Sequence, residues 1–118
     1  MSKPIKIDKY LSYYYAGASG DFNLIHIDNE FARGEGLNGI ILHGLCTMGI
    51  ATNRLIDDKD PGRLKSIKVR FAAPVFPEDE LTVDGDGGET QERFVVSNQS
   101  GEEVIRRGRA VYRDISDS

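Results

Sequence analysis

The sequence is short of cysteine, of long apolar runs and of positive charge, and each shortage closes off a class of protein. A single cysteine, Cys46, among 118 residues permits no internal disulfide and no cysteine-only metal site. No apolar stretch approaches the roughly 20 residues that span a bilayer. The opening MSKPIKIDKY also lacks the apolar core of a signal peptide. The expectation is a cytoplasmic protein with no membrane partner. Fifteen Lys and Arg stand against 19 Asp and Glu, a net charge of −4. A nucleic-acid partner usually calls for a basic domain or face, so none is expected. The local exception is Arg63, Lys65, Lys68 and Arg70. That run is either a solvated sheet face or a contact for phosphate groups.

What remains is enough for one domain, residues 1–118, burying about two-thirds of its unfolded surface without metal or disulfide. Its two halves differ in texture. Ile5 and Ile7 read as a short strand, and Asp8 as the cap of a helix with Leu11, Tyr14, Tyr15 and Ala18 on its inner face, stopped by Gly20. Asp28 caps a further short turn ended by Gly34 and Gly36. The second substantial helix runs over His43–Asp57, with Leu45, Met48, Thr52, Leu55 and Ile56 as its inner side. Its remaining residues are mostly small or apolar, so it is expected to be surrounded. After Asp60-Pro61-Gly62 the period changes to two. Strands are predicted near 65–71, 80–84, 93–99 and 104–113, with turns at Asp86–Glu89 and Asn98–Gly101. One buried helix followed by an antiparallel meander is an α+β arrangement. Its open sheet edges predict a homodimer or higher oligomer.

The chemistry concentrates in Ser19-Gly20-Asp21-Phe22-Asn23-Leu24-Ile25-His26-Ile27-Asp28 and in Ile41-Leu42-His43-Gly44-Leu45. Asp21 and His26 sit in one glycine-opened loop, where a carboxylate and an imidazole can share a water as acid and base. His43-Gly44 opens the long helix, whose first N–H groups lack partners and carry the positive end of the dipole. Gly44 leaves room for a ligand oxygen to approach its N–H.

These segments resemble the MaoC-like dehydratases, or R-specific enoyl-CoA hydratases, whose loop reads S-G-D-x-N-P-x-H ahead of a helix opened by H-G. Val69-Arg70-Phe71-Ala72-Ala73-Pro74 and the following Val-Phe-Pro-Glu-Asp-Glu-Leu are similar to that family's strand-turn-strand segment. The resemblance implies a hot-dog fold, an antiparallel sheet wrapped around one helix. It implies a hydro-lyase that reversibly adds water across a trans-2-enoyl thioester of coenzyme A or a carrier protein. It needs no cofactor beyond coenzyme A as part of the substrate, and no metal. Asp21 and His26 match the catalytic pair, Asn23 a polar neighbour, and Gly44 the N–H that holds the thioester oxygen. Thr52 stands where a serine is common. Leu24 replaces the family's proline, and the chain begins close to its first helix, which leaves room for an unlike partner subunit.

Plainer readings compete. Gly17-Ala18-Ser19-Gly20 is not a nucleophile elbow. Cys46 reads as buried and inert. Asp84, Asp86 and Glu89 are a hairpin rather than a calcium loop. His43 reads as orienting the helix start. Two rival functions remain: a hot-dog thioesterase, and a non-catalytic subunit of a heteromeric dehydratase.

Overall fold

The computed structural model describes residues 3–114. Strand β1 covers Ile5–Lys6 and helix α1 Leu11–Ser19. A 3-10 turn at Leu24–His26 leads to helix α2, Asn29–Gly34, and helix α3, Gly44–Leu55. Strands β2 (Leu64–Phe71), β3 (Glu80–Gly85), β4 (Gln91–Ser97) and β5 (Glu103–Tyr112) follow. They form a five-stranded sheet in the order β1-β3-β4-β5-β2, with every pairing antiparallel. Among the described residues no helix is long and apolar enough to cross a membrane.

The two expected helices are present but turned. In α1 the buried positions are Ser12 and Ala16, whereas Tyr14 is 66% exposed. Asp8 does not cap the helix itself; its carboxylate accepts from Tyr10 N–H just ahead of it. In α3 the buried residues are Cys46, Thr47, Ala51 and Leu55, while Leu45 lies on the surface. The expected face is thus displaced by about one residue, and the helix is not surrounded. Side-chain size explains the choice: Ala51 and Cys46 share the core with Val83, Phe94, Val96 and Ala110 and let the helix pack close to the sheet, where larger side chains would hold it off. Gly108 serves the same end. A Cβ there would lie 2.6 Å from the ring of its cross-strand partner Phe94.

Turn chemistry follows the sequence. Gly20 ends α1 at φ 78°, and Asp28 caps α2 by accepting from Phe31 N–H at 3.1 Å. Asp86 closes the β3–β4 hairpin by accepting from Gly88 and Arg93 N–H groups, so its carboxylate is occupied by backbone. One feature of β5 has no sequence signal. Arg107 adopts φ 51°, a bulge that slips the register against β2 between Lys68 and Arg70.

Candidate active site

The loop after α1 is built by a relay in which a side chain at each second position accepts from the backbone two residues on. Ser19 Oγ takes Asp21 N–H at 3.1 Å, Asp21 Oδ1 takes Asn23 N–H at 3.2 Å, and Asn23 Oδ1 takes Ile25 N–H at 3.2 Å. Short polar side chains suit such turns because they substitute for backbone acceptors. The relay curls the chain, so Asp21, which is exposed, and His26, which is 7% exposed, face the start of α3. Side-chain donor atoms of Asp21, His26 and His43 all lie within 4.8 Å of one another.

Each histidine is fixed by a carbonyl. His26 Nδ1 lies 2.8 Å from Ile41 O. A carbonyl only accepts, so Nδ1 carries the proton and Nε2 is left with its lone pair when the ring is neutral. His43 donates from Nε2 to the backbone oxygen of Asp21 at 2.9 Å, which ties the loop to the helix start. The two imidazoles stack, with centroids 3.8 Å apart and planes 21° apart, and Tyr15 packs on His43 at 4.8 Å. The three groups lie close enough to hold an ion, with His43 Nε2 already committed to the Asp21 carbonyl.

A cavity of about 320 Å³ opens beside His26. Leu42, Val75 and Val104 give it an apolar wall, Gly44 and Thr47 bring the first turn of α3 to it, and Phe71 closes one side. A Cβ on Gly44 would meet the Phe71 ring at 3.1 Å, so glycine here lets that ring pack against the first turn of α3. Apolar walls with a few polar groups are the usual make-up of a small-molecule site.

The structure thus brings Asp21 to His26, and His26 and Gly44 to one cavity whose lining does not include Asp21. Asn23 stands in the same loop with its oxygen committed to Ile25 N–H. Thr52 is elsewhere: its hydroxyl donates to Met48 O at 2.7 Å, and it lies outside the cavity lining, further along α3 than Thr47. The hydroxyl of α3 that lines the cavity is Thr47. Sequence reasoning missed Thr47 and Phe71. The displaced face of α3 explains the first, and the second follows from placing the end of β2 against Gly44. Ser19 is used as a turn acceptor, and burial pushes the Cys46 thiol up, away from the reactive thiolate.

An α+β sheet cradling one helix, with an Asp–His loop at that helix's start, is a hot-dog architecture. A family model described as a MaoC like domain matches residues 1–106, and the chain belongs to that family. It is 50% identical over 66 residues to a probable enoyl-CoA hydratase 2 of Dictyostelium discoideum, covering 53% of this chain and 22% of that protein. It is 39% identical over 105 residues to the peroxisomal multifunctional enzyme type 2 of Drosophila melanogaster, covering 85% of this chain and 17% of that protein. The structure of a MaoC-like dehydratase from Phytophthora capsici superposes with a TM-score of 0.90 at 32% identity, over 100% of this chain and 41% of that one. The chain therefore spans less than half the length of each of these relatives.

Proposed function

We propose that the chain adds water to trans-2-enoyl thioesters and runs the reverse dehydration. The observation that carries this reading is the tethered His26: its Nδ1–H is held by Ile41 O, so Nε2 serves as a base beside the Asp21 carboxylate. Water held between the two attacks C3 and gives one proton to the pair. The electrons of the C2–C3 double bond shift toward the thioester oxygen, which Gly44 N–H and the α3 dipole stabilise. The pair then returns a proton to C2, and the sum is one water added. Each proton transfer is worth about 10²–10⁴-fold, and an oxyanion donor about 2.7–4 kcal/mol. The relatives named enoyl-CoA hydratase support the same substrate class.

Hydrolysis of the thioester uses the same pocket but breaks the C–S bond. The two are separated by incubating the purified protein with crotonyl-CoA. Loss of enoyl absorbance without free thiol is expected, with 3-hydroxybutyryl-CoA as product. Thiol release at the rate of substrate loss would establish the thioesterase instead. Neither change would leave the chain as a non-catalytic subunit.

A further inference from the structure

The proposed reaction uses His26 and Asp21 and leaves one nitrogen of His43 with no task. That nitrogen, Nδ1, is buried without a hydrogen-bond partner, on a side chain that is 2% exposed. Because His43 Nε2–H donates to Asp21 O, the neutral ring keeps its lone pair on Nδ1. A buried acceptor without a donor is destabilising, and an apolar ring of similar shape would avoid that cost.

Two further donors stand beside it. His26 Nδ1–H is held by Ile41 O, which leaves the lone pair on Nε2. Asp21 gives one carboxylate oxygen to Asn23 N–H, and its other oxygen makes no hydrogen bond among the described residues. One donor atom from each of Asp21, His26 and His43 lies within 4.8 Å of the other two.

Two imidazole nitrogens and a carboxylate oxygen are a donor set for zinc, whereas magnesium takes oxygen ligands. Both rings also have the arrangement that metal-bound histidines adopt. Each donates its other N–H to a backbone carbonyl, which fixes the tautomer and the ring direction. Zinc holds nitrogen and oxygen at about 2.0–2.2 Å, so the donors draw in on binding. Asp21 is exposed on its loop and able to shift. The rings, stacked with centroids 3.8 Å apart, tilt to aim at one ion and give up part of their stacking energy. Such a site suits reversible capture rather than a permanent structural ion.

We propose that Asp21, His26 and His43 form an inhibitory zinc site. The ion takes the place of the reacting water. It occupies the His26 lone pair that serves as base and neutralises the Asp21 carboxylate. The inhibition rests on the hydratase reading; the binding does not.

Calorimetric titration of the metal-free protein with zinc chloride should show a single site, and zinc should raise the melting temperature. Magnesium chloride should do neither. Zinc affinity should fall by at least about tenfold in His43→Phe and in Asp21→Asn, the loss found when merely a partner of a metal ligand is removed. In an assay on crotonyl-CoA, saturating zinc should abolish hydration by the parent, and a chelator should restore it. No zinc binding by the parent, or equal affinity in both variants, would overturn the site. Binding that leaves hydration untouched would overturn the inhibition. Because the titration needs no turnover, a parent that binds zinc through these residues but hydrates nothing when metal-free would instead count against the hydratase reading.

Discussion

His43 is the residue whose several contacts are hardest to foresee from its neighbours in sequence. It is 2% exposed, and its three surroundings are the Asp21 carbonyl, the His26 ring and the Tyr15 ring. Its Nδ1 is buried with no hydrogen-bond partner, a destabilising feature in its own right. The expectation that it orients the helix start is too narrow, because it also positions the loop carrying Asp21. His43→Phe keeps a flat ring for stacking, removes the N–H to Asp21 and removes the unpartnered nitrogen. The lost bond and the relieved atom offset, so stability should change by less than about 1 kcal/mol. Freed of its tether, Asp21 should drift, and turnover should fall by about ten- to a hundredfold. Steady-state kinetics with a denaturant melt on the same variant checks both. Wild-type turnover would show that the tether is dispensable.

Among the elements, the loop was readable because its polar residues act locally. Ser19, Asp21 and Asn23 each bond the backbone two residues on, which any glycine-opened run of such side chains favours. The faces of α1 and α3 were less readable because small residues decide them. Apolar size favours Leu45 and Met48 as the inner face, while the fold buries Cys46, Thr47 and Ala51. The same shift by one residue exchanges Thr52 for Thr47 at the cavity. The bulge at Arg107 and the strain at Glu78 leave no trace in a period-two pattern.

Two element-scale predictions follow from the geometry. Leu24 is the first residue of the 3-10 turn, and the preceding Asn23 has φ −53° and ψ 130°, the extended region that a residue before proline requires. Proline at such a first position has a preset φ and loses no needed donor. Leu24→Pro should therefore stabilise by about 0.4–1 kcal/mol through the unfolded chain, read as a melting rise of a few degrees. A lower melting temperature would show that the loop uses another conformation.

Across β4 and β5, Tyr112 O–H donates to buried Glu92 at 2.9 Å, whose other oxygen accepts from Gly87 N–H at 3.0 Å. Burial first, then the hydrogen bond and charge of Glu92, push the Tyr112 hydroxyl well above the ordinary tyrosine range. A raised folded value means that the neutral phenol stabilises the fold. That stability is complete below about pH 10, the unfolded tyrosine value, and is lost as pH rises beyond it. Tyr112→Phe should cost about 1–3 kcal/mol at neutral pH by leaving a Glu92 oxygen short of a donor. It should also flatten the alkaline loss of stability in melts from pH 8 to about 11. An alkaline limb unchanged by the substitution would place the responsible group elsewhere.

The molecule as a whole is more open than its length requires. Its radius of gyration is 15.2 Å, with extents of 52 × 30 × 20 Å, against about 13.5 Å for a compact chain of 118 residues. One edge of the sheet is β2, eight residues long with a free side, and Phe71 at its end is 50% exposed. Phe22, Leu24 and Leu45, on the segments that carry the site, are also 44–64% exposed. Exposed apolar groups and an edge strand argue for a cover, and we propose that a second copy pairing through β2 supplies it. Sedimentation at micromolar concentration should give a dimer, and a strict monomer would contradict this.

The central claim, that Asp21 and His26 handle one water as a unit, is tested most directly by a double-mutant cycle on hydration of a short enoyl-CoA. Asp21→Asn keeps the shape and removes the charge, and His26→Ala removes the base, with folding checked by circular dichroism. Each should lower kcat by at least about a hundredfold, and the double variant should fall little below the worse single, since the two act together. Two folded single variants that hydrate at the parental rate would contradict the account and leave the pair as structural parts of the loop.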